Sequence, residues 1–274
     1  MKTIVIAEIG ENHYGQWDLC RGLTQEAARN GATIAKYQTY TGNQFPANHP
    51  ERDWFQRVSM PARVHFEMRD LCLSSGIRFL SSPFSVGAAR FLVETMGLNE
   101  IKIASSVLLR FPVLDYLNDR ADMVKTIYLS TGMATVAEIR ESLAHLQRID
   151  KIYLLHCVSQ YPTEDSEANL RCITTLQREF PGIPTGYSDH TRGIEACMAA
   201  VALGAEVIEK HFTYHTAMPG TDHAGGMTPN DLKEMTQKIE RIEKLLGSPE
   251  KRPTASEAQI VELARTPLAE TDIV

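Results

Sequence analysis

The stretch Val207–Phe212 reads VIEKHF. Val207 and Ile208 are β-branched and apolar, as in a strand covered on both faces. Glu209, Lys210 and His211 then follow in a row. Three titratable groups at one end of a buried strand are costly unless partners or ligands compensate them. In a parallel α/β barrel the carboxyl ends of the strands form the rim where chemistry is built. The stretch therefore reads as a barrel strand, apolar in its first half and reactive at its mouth.

Seven other stretches share this form: TIVIAEI (3–9), ATIAKYQ (32–38), IRFLSS (77–82), EIKIAS (100–105), KTIYLS (125–130), KIYLLHC (151–157) and IPTGYS (183–188). Between them lie amphipathic segments at Leu19–Asn30, Val64–Ser75, Val86–Met96, Val136–Gln147, Leu170–Phe180, Gly193–Leu203 and Pro229–Leu246. Gly31, Gly76, Gly97 and Gly204 fall just past helical runs, where a left-handed cap is expected. Thr228 followed by Pro229 predicts an N-cap and first helical residue. Eight βα units in about 250 residues predict a single-domain (β/α)8 barrel over residues 1–250. Residues 251–274, with their Pro, Ser and Lys content, read as a C-terminal extension or connector. An open doubly wound sheet is the alternative, but it usually carries GxGxxG after its first strand, and EIGENHYG does not match. The long segment Thr41–Pro61 breaks the short-loop rhythm and reads as a lid or a shielding loop.

The chain has 274 residues, 43% apolar and 23% charged, which suits a soluble globular protein with a sizeable core. A formal net charge of −6 argues against nucleic acid or an anionic membrane as partner, but not against a small anion seeing a local field. No apolar run is long enough to span a bilayer, and no signal peptide is visible after Met1. Cys20, Cys72, Cys157, Cys172 and Cys197 are scattered without a CxxC, so reduced thiols and a cytoplasmic location are expected.

The strand ends carry Glu8; Lys36 and Gln38; Ser81 and Ser82; Lys102 and Ser105; Ser130 and Thr131; His156; Ser188, Asp189 and His190; and Glu209, Lys210 and His211. Lysines and hydroxyls converging in one concavity suit a phosphate or phosphorylated carboxylate. His190 and His211, on neighbouring strands, are candidate ligands of one divalent metal with open coordination positions. Glu209, Asp189, Asp222 and His223 would support them or bind water. Each residue also has a bland reading: His156 as a core histidine bonded to backbone, Lys102 as an ion-pair partner of Glu8 or Glu209, Asp189 or His190 as a helix cap. His13, His65 and His215 lie away from strand ends and are expected at the surface.

The phrases AEIGENHYG, AKYQTY, FLSSPFS, KIASS, LSTGMAT, HCVSQYPT, GYSDHT, EKHFT and PGTDH, in this order, resemble the N-acetylneuraminate (sialic acid) synthase family over Ile4 to about Leu246. That family condenses phosphoenolpyruvate with an N-acylated amino sugar. The resemblance implies that Lys102, Ser105, Ser130 and Ser188 bind phosphate, and that Lys36 and Ser82 hold the carboxylate of phosphoenolpyruvate. It implies His190 and His211 as ligands of manganese or magnesium, with Glu209 beside the metal. Glu8, Gln38, Phe84, Tyr161 and Asp222 would face the acceptor. Three departures fall on what reads as the acceptor side: Val107 where an acid is usual, Ser159 for Asn, and YHTAMPG in place of a D-R-N pattern. Family members continue past a segment like LARTPLAETDI into a small antifreeze-like domain that brings an arginine to the partner's site and supports a homodimer. Arg265 is a weak stand-in for that arginine.

The implied function is a metal-dependent transferase of the EC 2.5.1 class in carbohydrate biosynthesis. It would join phosphoenolpyruvate to a sugar-type aldehyde and yield a 2-keto-3-deoxy sugar acid and phosphate. Glu8, Lys36, Lys102, His156, Glu209 and Asp222 are the candidate catalytic residues, with His156 positioning a water. The alternatives are a synthase for a different, non-N-acylated aldehyde, a sugar isomerase or lyase on the same barrel, and a non-catalytic barrel that binds a partner.

Overall fold

The structure, a computed structural model, describes residues 2–267. Among these, eight strands follow in chain order: β1 (Ile4–Glu8), β2 (Ile34–Thr39), β3 (Arg78–Pro83), β4 (Glu100–Ile103), β5 (Thr126–Ser130), β6 (Lys151–His156), β7 (Thr185–Asp189) and β8 (Val207–His211). All ladders are parallel and run in the order β3-β2-β1-β8-β7-β6-β5-β4. Strand β3 lies against β4, so the sheet curls into a nearly closed ring, the expected (β/α)8 barrel. The helices are α1 (Trp17–Arg29), α2 (Arg52–Val58), α3 (Ala62–Ser74), α4 (Val86–Arg90), α5 (Phe111–Asp119), α6 (Val136–Ala144), α7 (Cys172–Glu179), α8 (Glu195–Ala202), α9 (Thr221–Ala224) and α10 (Pro229–Leu246), followed by the short α11 (Ala255–Ala258) and α12 (Val261–Ala264).

Alternation along the strands sorts side chains into two layers. Ile6, Ile34, Leu80, Tyr128, Tyr153, Leu155 and Val207 fill the inside of the ring. Their neighbours of opposite parity, among them Val5, Ala35, Ile101, Leu129, Leu154 and Ile208, pack against the helices. Helix α10 starts as expected: Thr228 accepts from the Asp231 amide while the Asp231 carboxylate accepts from the Thr228 amide. Gly31 ends α1 at φ +94°, a left-handed conformation that favours glycine.

The placement of two histidines needs correcting. His13 and His65 are each 2% exposed rather than at the surface. His13 takes the Gly15 amide on Nδ1, and His65 shares a hydrogen bond with Thr39. Burial holds both imidazoles down at about 4. Helix α5 went unpredicted among the amphipathic segments although Pro112 sits in its first turn. Of the connector 251–274, the described part is exposed along nearly its whole length, and residues 268–274 lie outside the described residues.

Two outward-facing side chains join β7 to β8 behind the rim. Lys210 donates to Asp189 Oδ2 and to the Thr191 carbonyl, each at 2.6 Å. Asp189 also accepts from the Tyr187 hydroxyl, from the amide and hydroxyl of Thr191, and from the Cys197 thiol. Both side chains are fully buried. A buried pair of this kind is strongly destabilising to halve, because the survivor keeps an uncompensated charge. Lys210→Met should lower the unfolding free energy by about 3–5 kcal/mol in urea titrations. The double change with Asp189→Asn should recover much of that. A single-variant loss under about 1 kcal/mol would show that the pair is not the clamp described.

Candidate active site

The inward parity at the carboxyl end of the ring brings distant residues into one hollow of about 1240 Å³. A pocket for one small ligand usually measures about 300–1,000 Å³, so this one has room for two. Register places Glu8 opposite both Lys36 and His211, and Ser188 opposite Glu209. At its floor Glu209 stands between two lysines, 3.5 Å from Lys36 Nζ through Oε2 and 3.5 Å from Lys102 Nζ through Oε1. The Ser188 hydroxyl donates to Glu209 Oε1 at 2.9 Å. Lys36 also lies 3.0 Å from Glu8, whose other oxygen accepts from Gln38 at 3.1 Å. Lys102 donates to Ser130 at 2.7 Å and to the Ile103 carbonyl at 3.0 Å.

The electrostatics follow from burial and pairing. Burial works against the Glu209 anion, but Lys102 and Lys36, helped by Ser188, outweigh it and hold the carboxyl down at about 2. Burial opposes the Lys36 cation too, yet Glu209 and Glu8 leave its pKa raised. For Lys102, burial together with the nearby Lys36 charge wins, and its pKa is lowered despite Glu209.

Around this floor stand Ser82, Phe84, Ser105, Ser159, Tyr161, His190, His211 and Asp222. Gly10, at φ +49°, shows how closely three of the expected acceptor-facing groups converge. A Cβ there would lie 3.0 Å from Glu8 Oε1, 3.1 Å from Gln38 Nε2 and 3.4 Å from Asp222 Oδ2. The His190 and His211 rings are 5.5 Å apart, and Tyr161 packs on His190 at 4.1 Å. His190 uses Nδ1 on the Val158 carbonyl at 2.7 Å, which leaves Nε2 as its free nitrogen. His211 Nδ1 lies 3.4 Å from Asp222 Oδ2. Burial lowers both histidines, to about 3 for His190 and about 4 for His211, so both are neutral bases near pH 7.

Four buried side-chain atoms make no hydrogen bond of good geometry among the described residues: Ser82 Oγ, His211 Nδ1, and Glu8 Oε2 and Glu209 Oε2, whose one polar neighbour is the shared Lys36 ammonium at 3.0 and 3.5 Å. All four belong to this hollow. Buried polar atoms are ordinarily paired, so an unpaired set gathered in one cavity marks where ligand atoms fit. No preformed cluster of three or more His, Cys, Asp or Glu that could hold a metal is found among the described residues. Two neutral imidazoles with free nitrogens and carboxylate oxygens close by are nevertheless a donor set that fits a divalent cation with open positions.

His156 does not reach the hollow. It follows Leu155 on β6, and Leu155 points inward, so His156 points outward. Its Nε2 meets the Ala168 carbonyl at 2.8 Å and its ring stacks on Tyr187. The inward residue at this end of β6 is Cys157, which accepts the Gly132 amide. Asp189 is likewise spent on Lys210, and His223 on Thr213 at 2.7 Å. Val107 packs in the outer core rather than on the acceptor side, whereas Ser159 lines the hollow 2.9 Å from Ser105, and Met218 and Pro219 of the YHTAMPG stretch line it too.

Sequence reasoning missed the outer wall. Glu11, from the loop after β1, accepts from Tyr40 at 2.8 Å and from Trp54 Nε1 at 2.5 Å. Trp54 lies on α2, within the expected lid, and Glu51, Phe55 and Arg57 of the same segment line the mouth. Tyr14 meets Trp54 edge-on at 5.7 Å and donates to the Pro219 carbonyl at 2.5 Å, so three loops hold one another over the hollow. Burial, with Asp222 nearby, raises Glu11 to about 7, and burial raises Asp222 to about 6.

The NeuB family profile matches residues 23–251. The chain is 36% identical over 292 residues to N,N'-diacetyllegionaminic acid synthase of Campylobacter jejuni, covering 99% of this chain and 86% of that protein. It is 40% identical over 266 residues to an uncharacterised protein of Methanocaldococcus jannaschii, covering 96% and 77%. The crystal structure of N-acetylneuraminic acid synthetase from Leptospira borgpetersenii, in complex with citrate, superposes with a TM-score of 0.91 at 32% identity, over 97% of this chain and 92% of that one.

Glu11 carries a pH prediction. A glutamate ionises near 4.5 when unfolded and this one near 7 when folded. Its contribution is therefore most favourable below 4.5 and is lost as pH rises through 7. Relative to the native chain, Glu11→Gln should gain about 2–3 kcal/mol of stability between pH 4.5 and 8, measured by urea unfolding at both. A stability difference that stays flat across that window would show a carboxyl that is not desolvated.

Proposed function

The chain belongs to the NeuB family and is a phosphoenolpyruvate-dependent transferase that makes a carbon–carbon bond, and from that premise we propose that its acceptor is an N-acyl hexosamine-type aldehyde and its product a 2-keto-3-deoxy sugar acid. The observation that carries this reading is the floor of the hollow. Two buried lysines, six serines and polar atoms without a hydrogen bond face one cavity large enough for an anion and a sugar together.

In this reading Lys102, Ser105, Ser130 and Ser188 bind the phosphate, and Lys36 and Ser82 bind the carboxylate. The lysines pair with Glu209 at 3.5 Å, longer than a direct charge-assisted hydrogen bond, so an entering anion competes chiefly with the Lys36–Glu8 pair and with the bonds from Lys102 to Ser130 and the Ile103 carbonyl. Holding both ends of phosphoenolpyruvate aims its enol carbon at the acceptor wall and supplies proximity. The enol carbon attacks the aldehyde, positive character develops at the carbon bearing phosphate, and water adds there. The resulting hemiketal phosphate collapses to the keto acid and inorganic phosphate. Glu209, anionic and between the lysines, stabilises the positive character. Glu8 and Asp222, beside Gln38 and His211, are placed to move protons for the acceptor oxygen and the entering water. His190 and His211 would hold a divalent cation, manganese or magnesium, whose chemistry when bound is Lewis-acid polarisation of the acceptor carbonyl. His156, in the outer layer, has no part in it.

A non-N-acylated acceptor is the second reading, favoured by Ser159 and by Met218 and Pro219 on the wall.

Two expected outcomes test the proposal. Lys102→Met should raise KM for phosphoenolpyruvate and cut kcat/KM at least about 100-fold in a phosphate-release assay with an N-acetylhexosamine; turnover within threefold of native would remove the lysine from the anion site. His211→Ala should abolish metal-dependent turnover and weaken manganese binding in calorimetry, and undiminished binding would exclude the two-histidine site.

A further inference from the structure

We propose that Glu11 is a specificity-determining residue that restricts the acceptor to a sugar without a phosphate group, an inference that rests on the synthase reading of the same hollow. The hollow has two electrostatically different sides. Lys36 and Lys102, with the serines, occupy the floor. The wall built by the loop after β1, the segment around α2 and the loop after β8 carries Glu11, Glu51 and Asp222. Among the described residues, no lysine or arginine nitrogen lies within 4.0 Å of Glu11, Glu51 or Asp222; the neutral imidazole of His211 lies beside Asp222.

Glu11 is held in place by neutral donors alone. Tyr40 and Trp54 each give it one hydrogen bond, which fixes the carboxyl without supplying a counter-cation. Burial first, and the neighbouring Asp222 second, raise it to about 7. Sugar hydroxyls donate well to carboxylates, so a neutral polyol fits this wall. A phosphate brings two negative charges and only acceptor atoms, and meets repulsion from these carboxyls. Arg57 is the cation of this wall, exposed on the same segment as Trp54, and is the residue that would anchor a phosphate if the inference were wrong.

The experiment compares free N-acetylhexosamines with their 6-phosphates. One readout is kcat/KM in acceptor-dependent phosphate release. The other is titration of tryptophan fluorescence, to which Trp54 beside Glu11 is sensitive, and which needs no turnover. The free sugar should be preferred by about 30-fold or more, and Glu11→Gln should narrow the ratio about tenfold. Glu51→Lys, at an exposed position of the same wall, should narrow it as well and serves if Glu11→Gln does not fold. Equal use of both sugars, binding of neither, a phosphosugar preference lost in Arg57→Gln, or a ratio unmoved by both wall variants would each overturn the assignment. Failure of the synthase reading is distinguishable: phosphate release would be absent with every sugar, while the fluorescence titration would still report the charge preference.

Discussion

Glu209, suspended between Lys36 and Lys102 at the bottom of the hollow, is the constraint on which the rest depends. Together with Glu8, which pairs with Lys36, it balances two buried cations that would otherwise repel each other across the ring, and they hold it ionised against burial. The contacts are long, and Glu209 Oε2 has no hydrogen-bond partner among the described residues. Such a triad keeps the ring closed around charge without consuming the charge. The lysines are compensated enough to be buried and remain able to meet an anion. Six strands contribute to it: β1 through Glu8, β2 through Lys36, β4 through Lys102, β5 through Ser130, β7 through Ser188 and β8 through Glu209.

Most of the barrel was legible because its signal is local. Apolar runs with polar ends, glycines after helices and a Thr-Pro cap each follow from backbone chemistry within a few residues. The floor of the site was legible for a related reason, since the rim of a parallel barrel gathers strand ends wherever they lie in the chain. What strand ends alone do not settle is parity. Of adjacent polar residues, one looks in and the other out. Ser82 faces the hollow while Ser81 bonds to Thr39 and the Tyr37 carbonyl. His156 belongs with Ser81 on the outward side. Counting by two from the inward Leu155 would have led to Cys157 instead.

The acceptor wall was less legible because it is tertiary. Nothing in GENHYG tells that Glu11 meets Trp54, forty-three residues away in sequence. The signals available were an acid within a loop directly after a strand and an unusually long segment at Thr41–Pro61. They indicate a functional surface but not its geometry. His13 and His65 were misplaced for a similar reason. A neutral histidine with one backbone or hydroxyl partner is at home in a core, and sequence position does not reveal the partner.

The strongest separation between fold and function comes from comparing two charge clusters on the same two strands. Asp189 and Lys210 occupy the outward parity, and every polar atom of the pair finds a partner at hydrogen-bond distance. Ser188 and Glu209, one residue away on each strand, occupy the inward parity and leave a carboxylate oxygen unpaired. Composition, burial and neighbours in sequence are nearly the same for both clusters, so none of these separates them. Satisfaction does. A complete network asks nothing of a ligand and can only hold strands together. An incomplete one, fixed in place by the complete one behind it, retains free energy that binding can recover. VIEKHF thus carries both devices in consecutive residues, with Lys210 turned to the scaffold and Glu209 and His211 turned to the chemistry.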